Sequence, residues 1–398
     1  MITTQSPRVP TLDEIVQKAR ALRPLLESNA ARAEDERRVP DENMQAIVDA
    51  GLTRIAVPKR YGGYETNVRT ITEVAGALAE GCSSTGWIST LINTSSWMIG
   101  MYPLQAQDEI FGADPDTRSA GVFAANGTSR RVDGGWIVSG KWGYASGIGH
   151  ATWAGFGFLM TDEKGEVYDQ GYGLAPIEDV AIEDTWFVAG LKGTGSNTIV
   201  VDALFVPEHR VLGLSGVSNG IFDHAVPGEV LYRSSAMPTL NLVLVGALPG
   251  MARAALRYVT ERAGRKSVPY SIYERQADSA VIHAAIGQAA LKISDAELHM
   301  RRAATEIDDA AQRDEQLDMM ARTRVRAEAG HVARLCIEAV DILMTCHGSG
   351  GFADVSALQR IWRDINIGAR HGAVNHMIGD EAYGKALLGV GPQISTLI

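Results

Sequence analysis

The sequence predicts an α+β protein of three consecutive units: helical over residues 1–117, strand-rich over 118–230 and helical again over 231–398. Three observations carry this reading. In the first stretch, apolar residues recur at helical spacing behind recognisable start signals. From about Arg118, short β-branched and aromatic runs alternate with glycine, and after about Leu231 glycine thins out and long amphipathic patterns take over.

The elements follow in order. Thr11-Leu-Asp-Glu14 is a capping box, followed by Leu12, Ile15, Val16, Ala19 and Leu22 on one helical face. Asp41 to Ala50 repeats the pattern, with Gly51 as its stop. Turn-formers fill Val57 to Gly63, and helical spacing resumes at Thr70–Glu80 and around Trp87–Met101. In the middle unit, Arg131 to Val138 reads as a hairpin turning at Asp133-Gly134-Gly135. Further strands are expected at Trp153–Met160, Ala181–Trp186 and Asn197–Val206. The last unit has four long helical patterns, Pro238–Ala263, Glu274–Arg313, Gln316–Cys346 and Gly372–Leu388, which imply an up-and-down bundle. The charge-dense run Arg301, Arg302, Asp308, Asp309, Arg313 and Asp314 reads as a solvated face or a subunit contact.

Composition narrows the function. The formal charge is -10 and the basic residues are scattered, so nucleic acid is not an expected partner. The N-terminus lacks the apolar core of a signal peptide, and the longest apolar stretch, Leu240 to Leu256, is interrupted by Pro249 and Arg253. A cytoplasmic protein with no membrane partner is therefore expected. Cys82, Cys336 and Cys346 have no metal-ligand spacing and read as packing residues. His376 follows His371 by five residues, which is not a same-face spacing, so no metal site is expected.

Three motifs keep a common order along the chain. They are Gly51-Leu-Thr-Arg-Ile-Ala-Val-Pro-Lys-Arg-Tyr-Gly-Gly63, Leu191-Lys-Gly-Thr-Gly-Ser-Asn-Thr198, and Cys346-His-Gly-Ser-Gly-Gly-Phe352 leading to Gln359-Arg360-Ile-Trp-Arg363-Asp364. Together they resemble the acyl-CoA dehydrogenase superfamily over nearly the whole chain. The resemblance implies an N-terminal helical domain, a central β-barrel or sandwich domain, a C-terminal four-helix bundle, and a homotetramer in which cofactor contacts cross subunits.

The same resemblance assigns candidate residues. Gly140-Lys-Trp-Gly-Tyr-Ala-Ser-Gly147 is similar to the strand that offers a hydroxyl to the flavin N5 edge, which makes Ser146 that hydroxyl and Trp142 a wall. Arg262 falls where the family places an arginine for the cofactor phosphate, Thr194 and Ser196 are further phosphate candidates, and Gly350 and Gly351 form the glycine turn by the flavin. Each has a plainer alternative: a turn serine, a surface arginine, loop hydroxyls and an ordinary glycine turn.

Thioester dehydrogenation requires a carboxylate base, which family members place shortly after the Arg-Asp segment or on the first bundle helix. Here the first position reads Arg370-His371-Gly372-Ala373, and Ala236 to Leu256 contains no Asp or Glu. A histidine there, with Ser146-Gly-Ile-Gly-His150-Ala-Thr-Trp153, resembles instead the two-component flavin monooxygenases of the same fold. That branch implies reduced FMN or FAD supplied by a flavin reductase, O2 as co-substrate, a flavin C4a-hydroperoxide and a small phenol- or indole-like substrate. The chain has no Gly-x-Gly-x-x-Gly nicotinamide fingerprint, which fits this division of labour.

In this reading His371 is a general base that makes the ring electron-rich. Ser146 holds the N5 edge, and Trp142, Tyr144 and Trp153 keep the pocket dry. Asn93 and Trp97 are substrate-side candidates; His150 either orients the flavin-facing loop or satisfies buried carbonyls. Pocket shape is expected to depend on loops such as Gly213 to Tyr232, which carry no readable motif. The alternatives are an amine N-oxygenase on the same fold, an acyl-CoA dehydrogenase and a non-catalytic scaffold.

Overall fold

The structure, a computed structural model, describes residues 8–162, 164–222, 226–391, 393–395 and 398. The opening residues 1–7 of the N-terminus and positions 223–225 of the 213–232 loop lie outside the described residues.

The N-terminal helices are α1 (Leu12–Ala21), α2 (Arg23–Asp35), α3 (Asp41–Asp49), α4 (Val68–Ala79), α5 (Ser83–Ile99) and α6 (Leu104–Phe111). The capping box of α1 forms as its sequence demands: Thr11 Oγ1 accepts from Glu14 N at 3.3 Å and Glu14 Oε2 from Thr11 N at 2.7 Å.

The middle of the chain holds β1 (Ser119–Val132), β2 (Gly135–Ala145), β3 (Trp153–Thr161), β4 (Val167–Pro176), β5 (Ala181–Glu183), β6 (Asn197–Pro207) and β7 (Val211–Gly213). They form a seven-stranded sheet ordered β5-β6-β2-β1-β3-β4-β7. β1 joins two halves of different character. Its end pairs antiparallel with β2 from Thr128↔Ser139 to Val132↔Gly135, and its start pairs parallel with β3 from Ser119↔Trp153 to Val122↔Phe156. The register breaks between Val122 and Gly127, and a separate core of Trp136, Val138, Trp142, Phe156 and Phe158 fills the interior.

The hairpin turn is shorter than expected. Asp133 and Gly134, with φ +74°, make the reversal, and Gly135 already pairs in β2. Strand β5 ends at Glu183 rather than continuing to Trp186, and β4 carries no clear alternation in the sequence.

The remaining helices are α7 (Leu214–Ser218), α8 (Ala236–Val243), α9 (Ala247–Ala263), α10 (Ala280–Gln312), α11 (Met319–His347), α12 (Ala357–Gly368) and α13 (His376–Leu388). The pattern expected as one helix over 238–263 is thus broken between Val243 and Ala247. By length and composition 236–263 would suffice to cross a membrane, but 83% of its most apolar window is buried in the protein. Arg253 on this segment bonds Glu80 at 2.7 Å and pairs with Glu297.

N- and C-terminal helices share one apolar core, with Val74 and Leu78 of α4, Ile88 of α5, Leu248 and Met251 of α9, and Val332 and Leu343 of α11 all buried in it. The charged run on α10 is not simply a solvated face. Arg301 Nε donates to Glu73 at 2.6 Å, and Asp308 accepts from Val68 N at 2.8 Å and Arg69 N at 3.1 Å, capping α4. Burial raises the Asp308 carboxyl to about 7.

α4 and α9 cross through glycines, and a Cβ on Gly250 would press into the carbonyl of Gly76, whose helix backbone cannot move aside. Gly250→Ala is expected to lower the unfolding free energy by about 1–3 kcal/mol, measured by denaturant titration, despite alanine's better helix propensity. A stabilised variant would show that the crossing can relax.

Candidate active site

The site is organised around the turn from Ala189 to Ser196, which links the sheet to the helices. α12 holds this turn: Asp364 Oδ1 accepts from Leu191 N at 2.5 Å, Arg363 donates to Ala189 O, and Gly190 packs against the Arg363 backbone. The turn is tightly wound, with Leu191 at φ +50° and Gly195 at φ +51°. Its hydroxyls point toward the end of β2. Thr194 Oγ1 donates to Leu191 O at 2.8 Å, Thr194 and Ser196 hydroxyls lie 2.7 Å apart, and Ser196 and Ser146 hydroxyls lie 2.7 Å apart. Trp87 of α5 donates its indole N–H to Ser146 Oγ at 3.3 Å.

On the other side of Trp87 stands His371, with ring centroids 6.2 Å apart. It caps the turn Gly372–Val374, and its Nδ1 accepts from Ala373 N at 3.2 Å. With Nδ1 accepting, a neutral ring carries its proton on Nε2. His371 therefore has a donor at Nε2 rather than the free lone pair expected of a general base. The residue is surrounded by protein yet keeps more than a third of its surface accessible, as a side chain lining an open cleft does. Burial, reinforced by the nearby Arg326 cation, holds its pKa below 6.5.

Arg326 of α11 is unusual. It is 2% exposed and donates to Gly372 O at 2.9 Å, while its Nε and second terminal nitrogen have no partner. Burial lowers it to about 10. It holds the turn behind His371 and places a positive charge there.

The remaining cofactor candidates form a second cluster. Arg262 stacks on Tyr258 at 3.6 Å and lines a cavity of about 280 Å³ with Lys192, Arg257 and Arg360. Tyr258 in turn meets His347 edge-on at 5.4 Å, and Gly351 packs against His347. A side-chain carbon on Gly350 would stand 3.7 Å from Lys266 Nζ. Arg262, Gly350 and Gly351 thus sit around His347 and Lys266, beside a cavity whose lining also carries Glu27, Glu34, Glu80, Glu261 and Asp364, whereas Thr194 and Ser196 are committed to Ser146.

The N-terminal stretch 12–111 matches the family model described as acyl-CoA dehydrogenase, N-terminal domain, and 242–376 the corresponding C-terminal domain. The chain is 31% identical over 390 residues to the flavin-dependent monooxygenase oxygenase subunit HsaA of Rhodococcus jostii, covering 96% of this chain and 100% of that protein. It is 28% identical to the FADH(2)-dependent resorcinol hydroxylase oxygenase component of a Rhizobium species, covering 95% of each. The solved structure of XiaF from a Streptomyces species, in complex with FADH2 and glycerol, superposes with a TM-score of 0.91 at 37% identity, covering 96% of this chain and 97% of that one. The chain belongs to the acyl-CoA dehydrogenase family, in its flavin-dependent monooxygenase branch.

Several residues expected at the flavin or substrate of such a monooxygenase are occupied elsewhere. Trp142 is fully buried in the sheet core and donates to Gly157 O at 2.7 Å, so it has no face for a cofactor. Trp97 is likewise sealed, its N–H on Leu231 O at 3.1 Å. Asn93 spends its amide N–H groups on Leu52 O at 2.9 Å and Ser89 O at 3.0 Å, leaving a buried Oδ1 without a partner. His150 takes the structural option: its ring nitrogens meet Val39 O at 2.8 Å and Arg38 at 3.1 Å, and burial lowers its pKa to about 4. Tyr144 stands out from the sheet at φ +70°, 74% exposed and edge-on to Trp186. Trp87, which the sequence groups with Trp97, Trp142 and Trp153 as pocket-side aromatics suited to a flat substrate, touches both His371 and Ser146.

Removing the cation behind His371 should raise the pKa of the imidazole. In Arg326→Met the His371 titration followed by NMR is expected to move to higher pH. An unmoved midpoint would mean that burial alone sets the imidazole.

Proposed function

We propose that this chain is the oxygenase component of a two-component system that hydroxylates a phenol- or indole-like ring, with reduced FMN or FAD arriving from a separate reductase. The observation that carries this is the cluster His371–Trp87–Ser146, a histidine and a hydroxyl that both meet one indole where a dehydrogenase would need a carboxylate. The 28% identical relative named as a resorcinol hydroxylase oxygenase component supports an aromatic substrate.

The residues fit a flavin edge and a flat substrate. Ser146 Oγ has an acceptor position left after its bonds to Ser196 and Trp87. Gly372 has open space beside it, and Gly143 meets only Thr198 Oγ1 at 3.5 Å. The reduced flavin supplies two electrons, so that one oxygen atom of O2 enters the ring and the other leaves as water. His371 would donate from Nε2 to the oxygen of a substrate that binds already ionised, and by stabilising that anion it keeps the ring electron-rich. Trp87 separates the two polar groups and excludes water between them.

Arg262 and Lys266 are suited to a flavin phosphate, and in a homotetramer they would serve the neighbouring subunit's site. A cytoplasmic location suits dependence on a diffusing reduced flavin.

Protein loaded anaerobically with reduced FMN or FAD, then mixed with O2 and a panel of phenols and indoles, is expected to give a hydroxylated product. His371→Ala should lose about 10²–10³-fold in product formation, the range for one lost oxyanion donor, and release hydrogen peroxide instead. Full product yield from this variant would remove the role assigned to His371, and product only from amines would replace ring hydroxylation with N-oxygenation.

A further inference from the structure

The hydroxyls behind Ser146 have a direction that can be deduced by counting hydrogens. Leu191 O can only accept, so the 2.8 Å contact from Thr194 Oγ1 uses the Thr194 hydrogen. The 2.7 Å contact between Thr194 and Ser196 then needs the hydrogen of Ser196, and the 2.7 Å contact between Ser196 and Ser146 needs that of Ser146. The opposite direction leaves Thr194 Oγ1 and Leu191 O 2.8 Å apart with no hydrogen between them, two lone pairs facing each other, while Leu191 O keeps only its bonds from Trp186 Nε1 at 2.9 Å and Thr194 N at 3.1 Å. Thr194 is 3% and Ser196 2% exposed, so water cannot repair that loss. At the far end, the indole N–H of Trp87 can only donate to Ser146 Oγ. All four contacts are hydrogen bonds in one direction only, and in it Ser146 offers an accepting lone pair to the cleft and no hydrogen.

We propose that Thr194 and Ser196 are positioning residues that fix Ser146 as an acceptor and so make the site select the reduced flavin. This rests on the reading that the flavin N5 edge lies against Ser146. Reduced flavin carries a hydrogen on N5 and donates it to Ser146, whereas oxidised flavin has a bare N5 that meets a second lone pair. Discrimination between the redox states arises behind the serine, in residues that touch no cofactor atom. It also gives a physical reason for release of the flavin once it has been oxidised.

The test is the dissociation constant of each redox form, measured anaerobically for reduced flavin and by fluorescence quenching for oxidised flavin. Wild type is expected to hold the reduced form more tightly. Ser196→Ala frees the Ser146 hydrogen to turn into the cleft, and Thr194→Val lets Ser196 turn its hydrogen onto Ser146 with the same result. Both variants should bind oxidised flavin more tightly, lowering the ratio of oxidised to reduced dissociation constants about tenfold, equivalent to a fall of about 30 mV in the bound potential. Thr194→Ser keeps the relay and should keep the ratio. A variant that is merely damaged would bind both forms more weakly. Unchanged or weaker binding of oxidised flavin by both Ser196→Ala and Thr194→Val would overturn the relay while leaving the functional reading intact. Wild-type protein that binds neither redox form would overturn the functional reading and the relay with it.

Discussion

The site depends on one buried carboxylate. Asp364 is 6% exposed, and burial pushes its carboxyl up to about 6, against the hydrogen bonds from Leu191 N and the Ser83 side chain that favour its charged form. A buried charge is tolerated only when it is bonded, and both donors come from parts of the chain far apart in sequence. Ser83 opens α5, so the partial positive charge of that helix's N-terminus adds to the support. Through this one group α12, α5 and the 189–196 turn are fixed to one another. Those elements carry or adjoin Trp87, Ser146, Thr194 and His371, so a displaced Asp364 would move every polar group of the cleft.

A second buried charge sits at the opposite wall. Among the described residues Arg326 has no carboxylate partner within hydrogen-bonding reach and leaves two guanidinium nitrogens unsatisfied, an arrangement that costs stability. Its position beside the His371 turn gives that cost a function. A cation there disfavours a second cation on the imidazole, so the ring stays neutral and Nδ1 keeps the lone pair that accepts from Ala373 N. Stability is given up at the place where the protonation state of one ring must be controlled.

Much of the architecture could be read from local signals because those signals are local in cause. The capping box of α1, the stop at Gly51 and the change from helical to strand periodicity each arise from a few neighbouring residues. The breaks that were missed, between α8 and α9 and at the short β5, are decided by tertiary packing against α4 and β6. The site divided in the same way. His371 and Ser146 are candidates by motif order along the chain, and the fold brings both against Trp87. Trp142 could not be separated from Trp87, because both lie in apolar surroundings and only the fold turns one inward to the sheet core and the other toward the histidine. Thr194 and Ser196 are phosphate candidates by resemblance, and only the fold shows that their hydroxyls bond each other, Leu191 O and Ser146.

The two cleft-facing groups are controlled by the same physical device. Behind Ser146 a chain of hydroxyls ends on the carbonyl of Leu191, which draws each hydrogen away from the cleft. Behind His371 the amide N–H of Ala373 occupies Nδ1 and leaves the proton on Nε2. A backbone carbonyl and a backbone amide do not titrate, so the acceptor and the donor they impose persist across the working pH range. The strain of the turns at Leu191 and Gly195, and the bond from α12 that holds them, keep the carbonyl aligned. A cleft with one fixed acceptor and one fixed donor distinguishes its ligands by where they carry hydrogen, a property that shape alone cannot sense.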